Sequence, residues 1–577
     1  MTEKNHIVYG PVTPLAREMH QMKYRQDGEN FRDAMVRNAG ALADNPEHFR
    51  ALKPILLDQG FLAGGRVQSA MGALKTVTAY NCFVSGAIED SMASIMQRAT
   101  EAAETMRLGG GIGYDFSNIR PRGDRIKSLD SQASGPVSFM SIFDAVCQTI
   151  ASSGHRRGAQ MAVLRIDHPD ILQFIRAKRN SDKLNGFNIS VGVTDEFMDH
   201  LERGQKFPLR FDGRIYEWID PTDLWDEIMR TNWDWAEPGV LFIDRINEEN
   251  NLWYCEQIAA TNPCGEQPLP PFGACLLGSW NLVKYLKPRD DGKGMGLDYR
   301  QLAEDIPHVV RAMDNVIDRT TYPLPEQEIE AKNKRRMGLG VTGLANALEA
   351  CGYRYGTQAF LEAEADVLSF IAWETYNASI NLAKEKGSFP LLDREKYIQS
   401  GFMQRMPAEI RDAVLKFGIR NSHLLSIAPT GTISITADNV SSGIEPPYTL
   451  EYQRTIQTFD GAKIEKVQDY GYRFLGIRGA TADEVTAEQH VNVLAVAQQW
   501  VDSACSKTCN VGDQVPYDEF KGLYLQGYMD GAKGMTTFRA AGKRFGILQA
   551  QPVDEETPEE AVEACTFDPV TGDRTCD

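Results

Sequence analysis

The sequence has little cysteine, no leader, no long hydrophobic run and a deficit of positive charge. Ten cysteines in 577 residues are too sparse for a disulfide framework. The opening stretch, MTEKNHIVYG, lacks the basic-then-apolar pattern of a secretory signal, and nowhere do 18 uncharged apolar residues follow one another. Both absences point to a chain of the reducing cytoplasm with no membrane partner, where grouped thiols serve catalysis or metal more often than cross-linking. Lys and Arg number 61 against 79 Asp and Glu, a formal charge of −18, which argues against coating nucleic acid or an anionic surface. Any phosphate site must therefore be local. What the chain does have is 42% apolar and 24% charged residues, enough for a sizeable core and more than one packed unit.

The first 60 or so positions carry apolar residues at helical spacing, as in Phe31 to Leu42 and Phe49 to Asp58. From Gly60 onward, short apolar strands with glycine-rich turns alternate with amphipathic helices, an α/β texture. One helix is expected to start at the capping pair Asp90-Ser91, with Met92, Ile95, Met96, Ala99, Ala103 and Met106 on one face. A second should follow Gly135-Pro136, with Phe139, Phe143, Val146, Cys147 and Ile150 in a stripe. Such stripes face either the core or a second subunit. After about Gln551 the composition breaks: nine acids and one base give this segment eight of the eighteen excess negative charges, so a mobile extension is expected. It nonetheless holds Cys565 and Cys576.

The sharpest local signal is Thr261-Asn262-Pro263-Cys264-Gly265-Glu266-Gln267. Proline and glycine keep Cys264 out of regular helix or strand and present its thiol from a turn. Were the segment extended, Asn262, Cys264 and Glu266 would share one face, setting an amide and a general base beside a reactive sulfur. A buried cysteine in a tight turn fits the same residues. Cys275 follows in Gly273-Ala274-Cys275-Leu276-Leu277-Gly278-Ser279, and Cys82 lies in the strand-like Tyr80-Asn81-Cys82-Phe83-Val84, but sequence spacing gives no distance between them.

Pro429-Thr430-Gly431-Thr432-Ile433-Ser434 follows the strand-like Leu424 to Ala428 and offers small hydroxyls and unhindered backbone N–H groups to a phosphate. An ordinary strand-to-turn corner has the same composition. Gly338-Leu339-Gly340-Val341-Thr342-Gly343 satisfies a dinucleotide-binding expression, yet it follows the polar run Lys332 to Arg336 instead of an apolar strand, so its glycines are expected to permit close helix packing. Cys505 and Cys509 lack a second ligand pair for a metal site. With Cys147, Cys255 and Cys351 they are expected to be packing residues.

Asn262 to Glu266, followed by Cys275-Leu276-Leu277-Gly278-Ser279-Trp280-Asn281-Leu282, resembles the catalytic finger loop of ribonucleotide reductases. Further likenesses come in the family's order: RLGGGIG at Arg107 to Gly113, GHRRGA at Gly154 to Ala159, RRMGLGVTG at Arg335 to Gly343 and APTGTIS at Ala428 to Ser434. The resemblance runs from about residue 60 to residue 545. It implies an α/β fold, a ten-stranded barrel over residues 61–547 with the finger loop inside it, preceded by a short helical segment (1–60) and followed by a flexible acidic tail (548–577). It implies that Cys264 becomes the thiyl radical that removes the 3′-hydrogen of the ribose, that Glu266 takes the 3′-hydroxyl proton and that Asn262 holds the sugar hydroxyls. Cys82 and Cys275 would supply two electrons and end as a disulfide. Ribonucleotide substrate contacts would come from Asn81, Gly111 and the loop Pro429, Thr430, Gly431, Thr432 and Ile433.

Members of this family differ in how the cysteine is oxidised. Those fed by a separate diiron subunit carry adjacent tyrosines near the end, and Lys533 to Arg539 here has none; no glycyl-radical motif of the anaerobic type is present, whereas Glu266 is. The likeness of Lys533 to Arg544 favours the adenosylcobalamin (cobalt) class, although the Asp-x-His-x-x-Gly cobalamin motif is absent. The resemblance further implies a homodimer paired through the two helices, a deoxynucleotide effector met by Asp90 and Ser91, and a loop from Ser153 to Gln160, with Arg156 and Arg157, that communicates between effector and substrate. Re-reduction would come from a thioredoxin-like donor through Cys565 and Cys576, which ten residues separate where a Cys-x-x-Cys pair is usual. The chain begins too close to its first helices to hold the family's N-terminal ATP-binding module, so control of specificity without an overall activity switch is expected. Two alternatives remain open: the large subunit of a diiron-dependent reductase, and a catalytically silent nucleotide-binding regulatory protein.

Overall fold

Short strands, most of them buried on both faces, frame the molecule: β1 (Phe61–Ala63), β2 (Cys82–Val84), β3 (Gly111–Asp115), β4 (Gln160–Arg165), β5 (Phe187–Val193), β6 (Gly239–Phe242), β7 (Ala274–Cys275), β8 (Leu277–Asn281), β9 (Gly338–Thr342), β10 (Thr508–Val511) and β11 (Gly534–Arg539). A computed structural model describes residues 9–126, 129–152, 156–157, 159–179, 183–458, 461–539, 542, 566–567 and 574–575. The strands read as apolar and small-residue runs instead of strict alternation, as expected of parallel strands covered on both sides.

They hydrogen-bond as two sheets, one of eight strands in the order β7-β2-β3-β4-β5-β6-β11-β10 and one of three in the order β1-β8-β9. Strands β2 to β6 are parallel, with helices in the connections; β11 is antiparallel to β6 and parallel to β10. The segment 424–428, expected as a strand, makes only isolated parallel bridges, Leu339 to Leu425 on one side and Ile427 to Cys505 on the other. Alternate strand residues separate two packed regions. Cys82, Val84, Met161, Val163, Leu241, Cys275 and Leu277 form a small cluster on one face, while Phe83, Ile112, Ala162 and Leu164 join the main core under the helices.

The N-terminal helices span Pro14–Tyr24, Phe31–Leu42 and Pro46–Leu57, each capped by a side chain that accepts a first-turn N–H: Thr13, Asn30 and Asn45. They are pinned to the segment after Ser434: the Asp438 carboxylate accepts the Val12 and Thr13 N–H groups, and Gln59 Nε2 donates to Thr436 O at 2.9 Å. The helix Met92–Arg107 starts at Ser91, which caps it as expected, but its stripe divides: Ile95, Ala99 and Met106 are buried, whereas Met92 and Met96 stand 56% and 47% exposed. The helix Pro136–Thr149 buries Phe143 and Cys147 and leaves Phe139 and Val146 half-covered. Among the described residues no helix is long and apolar enough to cross a membrane.

One buried group runs against the usual rule that interior charges are paired. Glu364, on the long helix Gln358–Lys386, is wholly buried, and neither of its carboxylate oxygens bonds to any described residue. Burial lifts its pKa well above the ordinary carboxylate range, with Lys507 pulling the other way. A carboxyl that keeps its proton when folded and loses it when unfolded makes the fold less stable as pH rises above its unfolded-state value, by about 1.4 kcal/mol per pH unit until the folded-state value is reached. Glu364→Gln should therefore match the parent chain near pH 5 and become progressively more stable than it towards pH 8 in denaturant unfolding; parallel stability curves would contradict a protonated Glu364.

Candidate active site

The loop that carries Cys264 rises from a two-strand ladder, Ala260–Thr261 against Pro268–Leu269. Asn262 closes it twice on Gln267: its backbone N–H donates to Gln267 O at 3.1 Å and its Oδ1 accepts the Gln267 N–H at 3.0 Å. Gly265, at φ +84°, completes a turn by donating to Asn262 O. The segment is thus a tight turn and not extended, so alternation does not set its side chains on one face. The turn sorts them differently: Asn262 and Glu266 are 0% and 1% exposed, and Cys264 at the tip is half-buried.

Glycines make room for this loop. A Cβ on Gly113 would lie 1.8 Å from Thr261 O, one on Gly111 3.1 Å from Pro263 Cγ and 3.2 Å from Cys82 Sγ, and one on Gly338 2.2 Å from Gln267 Nε2. The loop is lodged between β3 and β9. Gly338 and Gly340, expected to admit a helix, instead admit Gln267 and the Ser426 carbonyl, and both lie inside a strand where no phosphate-cradling turn exists. In the same motif Arg335 is paired with Asp314 and Asp318 at 2.8 Å, and Arg336 with Glu256 at 2.5 Å.

At the base of the loop Cys82 and Cys275 stand directly opposite each other in the antiparallel pair β2–β7. Directly opposed residues have Cα atoms about 4.5–5.5 Å apart, inside the span of a disulfide. Asn262 Nδ2 lies 4.0 Å from Cys275 Sγ. Burial pushes the Cys275 thiol well above its ordinary range, and Glu266, Cys82 and Cys264 beside it push the same way. Glu266 is held by its backbone, its carbonyl accepting the Ala504 N–H and the Ser426 hydroxyl, both at 2.9 Å.

On the other side of Cys264 opens a solvent-connected cleft, walled by β5, β6, β11 and residues 505–508. Cys505, expected to be a packing residue, borders it together with Cys264, while Cys509 is fully buried with its thiol pushed up to about 12 by burial. No local sequence signal marks Cys505, since its position depends on a bridge to Ile427.

Thr430 sits at φ +56° before the helical turn Gly431–Ile435, and its hydroxyl is already committed: it accepts the Gly443 N–H at 2.8 Å and lies 3.0 Å from Thr342 Oγ1. Pro429, Gly431 and Ile433 are buried and Thr432 half-buried. Asn81 keeps a buried Oδ1 that bonds to no described residue. Asp90 is paired with Arg120 at 2.6 Å and Ser91 accepts the Ser94 N–H. Arg156 and Arg157 form a short backbone ladder with Ser152 and Ala151. Residues 153–155 and 158, with Cys565 and Cys576, lie outside the described residues.

The family model for the ribonucleotide reductase barrel domain matches residues 80–475 and 478–538. The chain belongs to the ribonucleotide reductases. Among known members it is 36% identical over 498 residues to a vitamin B12-dependent ribonucleoside-diphosphate reductase of Mycobacterium tuberculosis, covering 81% of this chain and 67% of that one. It is 35% identical to a protein of the same description from Thermoplasma acidophilum, covering 83% and 63%, and 27% identical to a vitamin B12-dependent ribonucleotide reductase of Streptomyces avermitilis, covering 93% and 64%. The chain thus spans about two thirds of the length of these relatives.

The reductase site sorts its thiols by access. Cys264 opens to the cleft, while Cys82 and Cys275 are buried and the latter is held protonated. Each unit of raised pKa removes about nine tenths of the thiolate, so iodoacetamide at pH 8 should modify Cys264 in the native chain at least about tenfold faster than Cys275. Peptide mapping reads the rates, and equal labelling before and after denaturation would contradict this arrangement.

Proposed function

We propose that the chain reduces ribonucleotides to 2′-deoxyribonucleotides through a thiyl radical on Cys264, with adenosylcobalamin as the radical source. The observation that carries this reading is the stacking of three thiols around one loop: Cys264 at its tip, and the opposed pair Cys82 and Cys275 at its base next to Glu266 and Asn262. A silent nucleotide-binding protein needs neither the dithiol nor a thiol facing an open cleft.

The cleft beside Cys264 is where the cofactor would stand. Thr536 and Thr537 line it on the stretch where diiron-fed members of the family carry tyrosines, and their small side chains leave the space beside Cys264 open; a Cβ on Gly265 would likewise meet nothing within 4 Å. Residues 505–508, β5, β6 and β11 would hold the group. When bound, adenosylcobalamin supplies homolytic cleavage of its cobalt–carbon bond. The relatives described as vitamin B12-dependent support the same choice.

The chain's own residues do the rest. Cys264, as the thiyl radical, takes the 3′-hydrogen; Glu266 accepts the 3′-hydroxyl proton; Asn262, with its Oδ1 tied to Gln267, has an amide N–H to orient the sugar. Cys82 and Cys275 give up their two hydrogens, the 2′-hydroxyl leaves as water, C2′ ends with hydrogen in its place and the two sulfurs end as a disulfide. Asn81, with its unsatisfied Oδ1, and the backbone of residues 429–433 would hold the nucleotide. A ten-stranded barrel over residues 61–547 follows if segment 424–428 counts as the strand between β9 and β10, β7–β8 count as one strand, and β1, which pairs with β8 alone, is left out of the count. The exposed Met92 and Met96 support pairing of this helix with a second copy, and with it an effector site at Asp90 and Ser91. Cys565 and Cys576 would re-reduce the dithiol with electrons from a thioredoxin-like donor.

Purified chain given adenosylcobalamin, a dithiol and ribonucleoside di- or triphosphate should form deoxynucleotide with no second subunit. Cys264→Ser should lower turnover by at least about 10³-fold while nucleotide affinity changes little. Turnover that needs a separate metal-bearing subunit would reverse the assignment of radical source, and substantial turnover by Cys264→Ser would overturn the mechanism.

A further inference from the structure

The wall of the cleft formed by residues 505–508 and the turn that follows the loop 429–433 are far apart in sequence yet share one carboxylate. Glu445 is 6% exposed and closes a turn by donating its own N–H to Ser442 O at 2.8 Å, while the Tyr355 hydroxyl donates to Ile444 O at 2.7 Å. One carboxylate oxygen of Glu445 accepts the Thr508 N–H at 2.6 Å and the other accepts Lys507 Nζ at 2.5 Å. Lys507 also donates to His490 Nδ1 at 3.0 Å, and its side chain is wholly shielded from water. Lys507 and Thr508 both line the cleft.

The other end of this turn meets the loop. Gly443 donates its N–H to Thr430 Oγ1 at 2.8 Å; the Thr430 hydroxyl in turn meets Thr342 Oγ1 at 3.0 Å, and Thr342 donates to Ser441 O at 3.0 Å. Gly443 lies so close behind the loop that a Cβ there would stand 2.8 Å from Ala428 O. Residues 441–445 therefore act as a strut, fastened at one end to Thr430 and at the other to the cleft wall. A buried ion pair with both oxygens bonded adds little net stability, because desolvation offsets the attraction; what it supplies is fixed geometry.

We propose that Glu445 is a positioning residue that couples nucleotide binding at the loop 429–433 to occupancy of the cleft beside Cys264, so that each ligand tightens the other. The proposal rests on reading that loop as the nucleotide phosphate site and the cleft as the cofactor's. A phosphate that draws the Thr430 turn towards itself moves Gly443, and through the turn closed by the Glu445 N–H on Ser442 O the Glu445 carboxylate; the carboxylate carries Lys507 and Thr508, and with them the wall that includes Cys505 and Ser506. By linkage the effect is equal in both directions.

Equilibrium binding to the full chain decides the matter, with adenosylcobalamin and each of ADP, GDP, CDP and UDP as probes. In the parent chain saturating adenosylcobalamin should lower the dissociation constant of the bound nucleotide by about 5- to 150-fold. Glu445→Asp keeps a charge opposite Lys507 but is too short to hold both donors, and should retain less than about a third of that factor. The double variant Glu445→Gln/Lys507→Met leaves no lone buried charge, and there the factor should fall to about one while nucleotide alone binds within about threefold of the parent. Coupling retained in the double variant, or a parent chain that binds both probes independently, overturns the proposal and leaves the functional reading standing. A parent chain that binds neither probe overturns both.

Discussion

A side chain on Gly113 would collide with Thr261 O at 1.8 Å, and one on Gly338 with Gln267 Nε2 at 2.2 Å, so the loop carrying Cys264 can lie where it does only because two strands have bare backbone there. Everything else at the site is arranged around that close approach. With its stem threaded between β3 and β9, the loop turns Asn262 and Glu266 inwards and leaves Cys264 at the tip. The same glycine strand sets Gly111 beside Cys82, which brings the opposed thiols of β2 and β7 to the foot of the loop.

This geometry divides the two kinds of sulfur chemistry by environment. Cys264 faces an open cleft, where a large ligand can reach it, whereas Cys275 is walled in with its thiol held protonated by burial and by neighbouring Glu266. A hydrogen-donating dithiol benefits from staying protonated and dry until the substrate radical is present, and a radical-bearing thiol needs access from one side only. The backbone anchors of Glu266 to Ala504 and Ser426 tie the loop to the segments that also frame the cleft and precede Thr430. The loop, the cleft and the turn at Thr430 are thus one hydrogen-bonded body.

Local chemistry made part of this legible from residues alone. Apolar spacing marked the Phe31–Leu42 helix, and a capping residue placed the start of Met92–Arg107, since a side chain that accepts a first-turn N–H acts on its own few neighbours. Proline and glycine around Cys264 announced a turn, and the ordered motifs carried the family and the proposed roles. What stayed hidden depends on contacts distant in sequence. The extended reading of Asn262 to Glu266 failed because Asn262 bonds to Gln267 across the turn, and the helix-packing reading of Gly338 failed because its neighbour comes from the loop that carries Cys264. Cys505 is the core residue that was expected, and it also borders the cleft because it pairs with Ile427, 78 positions away. The Thr430 hydroxyl, which composition offers to phosphate, is spent on Gly443 and Thr342.

The most direct test of the central claim is a single turnover by the Cys565→Ser/Cys576→Ser chain, supplied with adenosylcobalamin and ribonucleotide but no external reductant, then quenched in acid and mapped by mass spectrometry. The account expects a disulfide between Cys82 and Cys275 to appear in step with deoxynucleotide, one for one. Deoxynucleotide formed while both thiols remain free to alkylate would contradict it.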